Sequence, residues 1–139
     1  MRYLTGYAAV AVVMAGLDFL WLRTMGAPLY ERTIGSLMAK DPDMKAAVAF
    51  YVLYVAGIVW FAVRPGVTAG DWRAAALNGA LFGLFAYGTY DLTNMATLKV
   101  WSLKLTLADM TWGTVLTAVS GGAGAGLMLL LWPHRSGAA

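Results

Sequence analysis

The sequence predicts an all-α integral membrane protein: a four-transmembrane-helix bundle with a short amphipathic interfacial helix between helices 1 and 2. Three observations lead there. Only 12% of the 139 residues are charged and 60% are hydrophobic, whereas soluble domains carry about a quarter charged residues. The mean hydropathy is +0.66. The apolar residues gather in four long runs, 3–22, 44–63, 73–94 and 107–132, and the short segments between them hold most of the charges. A hydrocarbon layer roughly 30 Å thick takes about 20 apolar residues in a helix, and each run reaches that length. None alternates as transmembrane barrel strands do.

The first run opens after Arg2. It carries Asp18 near its end and leads into Trp21-Leu22-Arg23 rather than a small-x-small cleavage site, which marks a retained helix and not a signal peptide. Segment 23–45 is the longest connection. Pro28 suits a first helical turn, and Leu29, Ile34, Leu37 and Met38 recur at roughly helical spacing, with Glu31, Arg32 and Lys40 between them. That is the pattern of a helix lying in the interface, although Gly35 weakens it. Asp41-Pro42-Asp43 reads as a helix start, a capping acid followed by proline in the first turn. The second helix is expected to stop at Arg64-Pro65-Gly66. Asp71 caps the third, with Trp72 and Arg73 as interface anchors. Thr106-x-x-Asp109 is a capping-box pattern for the fourth, which ends at Trp132-Pro133 ahead of a short basic tail.

Composition excludes several classes of chemistry. The net charge is +3 and no basic cluster points to nucleic acid. Without cysteine there are no disulfides, thiolate metal sites or thiol nucleophiles, and the single histidine, His134, sits in the tail. No haem or zinc site held by imidazoles is therefore available inside the membrane. No cofactor motif is evident; a divalent cation held by two or three aspartates with an asparagine stays open. Four spans put both termini on one side, together with Arg2, Arg64, Arg73 and Arg135, against Arg23, Arg32, Lys40, Lys45, Lys99 and Lys104 on the other. The arginines occupy the shorter segments, which favours cytoplasmic termini.

Small residues let helix backbones approach closely in lipid. Gly79 and Gly83 lie four apart in the third helix, and Gly122 and Gly126 in the fourth. They suit packing inside one bundle or, since the fourth helix has more small residues than one neighbour needs, a homodimer through Gly122 and Gly126.

Ionisable groups within a span are costly and are usually functional or paired. Asp18, Asp91 and Asp109 qualify, and with alternating helix directions all three fall near the same membrane face. Asp18-x-x-Trp21, Asp91-x-x-Asn94 and Asp109-x-x-Trp112 each set an aromatic or amide side chain about one turn away on the same helix face. Gly79, Gly83, Tyr87 and Asp91 form one stripe, expected to face the bundle. Tyr51 and Tyr54 of the second helix reach the same level. The predicted site is a carboxylate-lined polar pocket with Asp91, Asp18 and Asp109 as its catalytic candidates, and Asn94, Trp21, Trp112, Tyr51, Tyr54 and Tyr87 as its binding residues. Plainer roles compete: Asp109 also suits a helix cap, Asp18 a pairing with Arg23 or a loop lysine, Asp91 a bond to Tyr51, Asn94 or a helix end. Trp21, Trp101 and Trp112 also suit an aromatic belt at the interface.

Gly16-Leu17-Asp18-Phe19-Leu20-Trp21-Leu22 with Pro28-Leu29-Tyr30, then Tyr90-Asp91-Leu92-Thr93-Asn94 and Asp109-x-x-Trp112, resemble a family of small bacterial membrane proteins, domain of unknown function 2177. The resemblance covers nearly the whole chain. It implies four spans and an inner-membrane location, and brings with it no activity and no catalytic residues. Three functions then compete: processing of a lipid or other hydrophobic molecule by the carboxyls, transport or binding of a small cationic amphiphile through acid and aromatic groups, and a structural role in a membrane complex.

Overall fold

In the computed structural model, which describes residues 2–133, the chain is helical almost throughout. His134 and Arg135 of the basic tail lie outside the described residues. Helix α1 (Arg2–Met25) continues without a break through a wide π-helical turn (Gly26–Glu31), a short α2 (Arg32–Ile34) and a 3-10 turn (Gly35–Leu37). Segment 26–37 is thus helical, as its spacing predicts, but it extends α1 instead of standing apart from it. Leu29 is its one buried anchor, while Leu37 and Met38 are exposed.

Helix α3 (Met44–Ile58) is capped by Asp43, whose carboxylate accepts from the backbone N–H groups of Lys45 (2.9 Å) and Ala46 (3.3 Å). The second acid of the predicted start is therefore the cap, and Pro42 precedes it. The helix does not stop at Arg64-Pro65-Gly66. A π-helical turn (Val59–Val63) intervenes, and α4 (Arg64–Ala69) carries the helix on to Gly70, which closes it in the left-handed conformation at φ 69°. The backbone N–H of Arg64 reaches Val59 O, five residues back. Such a widened turn re-satisfies the backbone around a proline that cannot donate, so the helix survives Pro65.

Helix α5 (Trp72–Thr97) starts at Asp71, which accepts from Arg73 N–H at 2.8 Å. Helix α6 (Leu103–Leu131) starts earlier than the predicted capping box. Ser102 is its cap, accepting from Leu105 N–H at 3.2 Å. Thr106 is buried within the first turns and accepts from Trp101 Nε1 at 3.0 Å. Asp109 is consequently an interior residue, and capping does not explain it.

Helix α6 sits centrally, with its most extensive contact on α5 and the next on α1. The α5–α6 contact is a backbone approach. A Cβ on Gly79 would stand 2.5 Å from the Thr117 carbonyl oxygen, and one on Gly83 would meet the Gly113 carbonyl and, at 2.7 Å, the Thr117 hydroxyl. Gly122 belongs to the same seam, with Ala76 Cβ 3.2 Å from where its own Cβ would be; Gly126 lies at the edge of Trp72.

The distribution of polarity is the reverse of that in a soluble protein. Asp91, Asp109, Thr106, Thr117 and Ser120 are buried, while Leu130 (77% exposed), Val12 (73%) and Leu53 (72%) face outward. Only a hydrocarbon surrounding reconciles the two. Among the described residues three helices are long and apolar enough to cross it: Arg2–Leu37, Met44–Ala69 and Leu103–Leu131. The 26-residue α5 has the length, but its composition is taken up by Gly, Ala, Thr, Asn and Asp.

Candidate functional site

The three acids come from α1, α5 and α6, each about two turns in from its helix end on the side of the 98–102 loop. On α1, Asp18 accepts hydrogen bonds from the Tyr51 hydroxyl of α3 and from Trp112 Nε1 of α6, the latter at 3.3 Å. The Trp112 ring lies flat on Trp21, with centroids 4.6 Å apart and planes 4° from parallel. Trp21 Nε1 in turn donates to the Tyr30 hydroxyl at 2.9 Å, and Tyr30 donates to Asp109. An indole N–H can only donate and a phenol has one proton, so the direction is fixed: Trp21 to Tyr30 to Asp109.

Asp91 has no such support. It is 0% exposed, and neither of its carboxyl oxygens has a hydrogen-bond partner. Its neighbour is the Asp109 carboxyl, itself only 6% exposed. Two carboxylates can only accept. Held together in apolar surroundings they repel, so a proton or a cation has to lie between them. One Asp109 oxygen accepts from Tyr30, which leaves Asp91 as the carboxyl without a donor. Among the described residues the hydrogen-bond donors to Asp18 and Asp109 are phenol and indole groups, and none is a cationic side chain.

A cavity of about 300 Å³ reaches Asp109 of this pair. It is lined by Phe50 and Tyr54 of α3, Ala86, Tyr87 and Tyr90 of α5, and Asp109 of α6. Helix α5 packs on the 59–63 turn and on α4 but scarcely on α3. The two helices therefore diverge towards the acids, and the cavity fills the wedge. Phe50 (48% exposed) and Tyr90 (56%) stand at its rim on the apolar exterior, so the wedge opens sideways. Its inner end is closed by polar packing. Thr117 gives its proton to Gly113 O (2.7 Å), which leaves Tyr54 to donate to Thr117 Oγ1 (2.9 Å), and the Tyr87 ring lies over Gly113.

The fold thus joins Asp18, Asp91, Asp109, Trp21, Trp112 and Tyr51 in one cluster and sets Tyr54 and Tyr87 beside it. Asn94 stays apart: it is half-buried, lies beside Tyr90 and bonds none of the acids. Tyr30 was not among the predicted site residues, though Pro28-Leu29-Tyr30 held the only sequence signal for it. Asp18 faces Tyr51 and Trp112, not Arg23. Among the described residues no three carboxylate or imidazole groups converge on a point, and Asp91 with Asp109 is a short set for a hard divalent cation that takes six or more oxygens.

A helical chain with its polar groups inside and its apolar groups outside is an integral membrane protein. It belongs to the family described as predicted membrane protein (DUF2177), whose model matches residues 3–126. No curated protein and no protein of solved structure matches the chain.

Proposed function

We propose that this protein takes up a lipid or other amphiphile sideways from the membrane and processes its polar end at the Asp91–Asp109 pair. One observation carries the reading: a carboxyl with no donor, in contact with a second carboxyl that floors a cavity opening between α3 and α5. In a water-poor site such a pair can pass a proton to and from a bound ligand. Asp91 is the acid. Asp109, oriented by Tyr30, is the group that meets the ligand. Asp18 holds Tyr51 and Trp112 and so fixes the wall behind it.

The site's depth argues against a transport path. Beyond the acids the α5 and α6 backbones touch at Gly79 and Gly83, whereas transporter sites lie near the midplane between elements that rock apart. For the test, the gene is deleted and complemented with wild type or Asp91→Asn at equal protein level, and the envelope lipids are compared by mass spectrometry. A species that changes on deletion and is restored only by wild type is the expected result. An unchanged profile would sink the proposal.

The topology we propose has α5 as a fourth crossing, the 26–37 segment at the interface, and both termini on the cytoplasmic side of a bacterial inner membrane. The chain lacks cysteine, so single replacements label cleanly. In intact cells Lys99→Cys is expected to react with a membrane-impermeant maleimide and Thr68→Cys to stay unlabelled. The opposite pattern would invert the orientation, and labelling of both would remove the α5 crossing.

A further inference from the structure

We infer that the ligand of this cavity is an amphiphile whose headgroup is a protonated amine bearing N–H donors. The inference rests on the proposed function and names its substrate class.

Charge is the first argument. Asp91 and Asp109 are neighbours, and Asp18 is tied to them through Trp112, Trp21 and Tyr30. Among the described residues the bonds reaching Asp18 and Asp109 come from Tyr30, Tyr51 and Trp112, and no lysine or arginine pairs with these acids. Ions left unbalanced in a membrane interior cost several kcal/mol, and an ammonium group supplies what is missing.

The walls are the second argument. Phe50, Tyr54, Tyr87 and Tyr90 line the cavity, and among the described residues no basic side chain does. Aromatic faces attract cations through the ring quadrupole, and an anionic headgroup would find no partner there. Hydrogen bonding then separates kinds of cation. The carboxyl that lines the cavity is Asp109, a carboxylate can only accept, and a quaternary ammonium has no hydrogen to offer it. A primary amine has three. Size fits as well: about 300 Å³ is at the lower end of ligand pockets, enough for a headgroup whose chain trails out past Phe50 and Tyr90 into lipid.

The test uses the full chain in neutral-detergent micelles at pH 7, with dodecylamine, dodecyltrimethylammonium or dodecanol added at equal mole fraction. The readouts are thermal unfolding and the tryptophan emission contributed by the Trp21–Trp112 stack, since a ligand that binds only the native state stabilises it. Dodecylamine is expected to bind wild type about tenfold or more tightly than either other probe, a difference of about 1.4 kcal/mol, and to lose that advantage in Asp109→Asn. Ala86→Trp, which fills the cavity and leaves the acids in place, guards against misfolding in the Asn variant and is expected to lose binding too. Equal binding of dodecanol would overturn the amine assignment and leave the proposed function standing. Tighter binding of the trimethylammonium probe would overturn the requirement for N–H donors. No response to any probe would overturn the inference and the function together.

Discussion

Asp91→Asn is expected to make the protein more stable and inactive at once. The argument starts from burial. Asp91 is fully enclosed, accepts no hydrogen bond and touches a second carboxyl. A buried polar group without a partner costs about 1–3 kcal/mol, more if it is charged. An asparagine of the same shape needs no proton or cation between the two groups, because its amide N–H groups can donate to Asp109 while no charge is added. Thermal unfolding of the purified protein is therefore expected to show a gain of about 1–3 kcal/mol. Chemistry goes the other way. An amide cannot take up and release a proton, and general acid–base groups contribute about 10²–10⁴-fold to a rate. Restoration of the lipid profile in the deletion strain is accordingly expected to fall by about 10²-fold or more. This pairing separates the readings of Asp91. Were the carboxyl there to hold helices together, the asparagine variant would lose stability; a destabilised variant that retains function would assign Asp91 to packing and end the case for a reacting pair.

The origin of each feature governs how much of it could be read in advance. The helices, and the fall of Asp18, Asp91 and Asp109 at one level, follow from run lengths and alternating direction, which need no tertiary information. The Gly79–Gly83–Tyr87–Asp91 stripe was legible for the same reason, since a four-residue step stays on one face of a regular helix. Where the helix is not regular the reading fails. Tyr30 reaches Asp109 across the π-helical turn Gly26–Glu31, and a turn of i→i−5 bonds resets the direction of every later side chain relative to Asp18 and Trp21. The continuation past Pro65 escaped for the same reason. The start of α6 failed differently. Ser102 and Thr106 are both able to cap, and only the burial of Thr106 under Trp101 decides between them. Nor does any local pattern encode the divergence of α3 from α5, which depends on how both pack beyond the 59–63 turn. The acids could be found from the sequence; the opening that leads to them could not.

That opening supports the second large effect. Ala86→Trp is expected to abolish function without touching any carboxyl. Ala86 is half-buried on α5, next to Tyr87, and its methyl group lines the cavity. An indole there projects into space that is already open, so the change differs from overpacking a filled core, which costs about 1–3 kcal/mol. Stability is expected to move by no more than about 0.5 kcal/mol. Dodecylamine binding is expected to weaken by about tenfold or more, and complementation of the deletion strain to fail. Ala56→Trp is the control: the same enlargement, on the exposed face of α3, with binding and complementation kept. The comparison isolates access from chemistry, because Asp18, Asp91, Asp109 and the donors that orient them are the same in both variants. Full activity in Ala86→Trp would mean that ligands reach the acids by some route other than the wedge between α3 and α5. The lateral entry would then be wrong, whatever Asp91→Asn had shown about the pair itself.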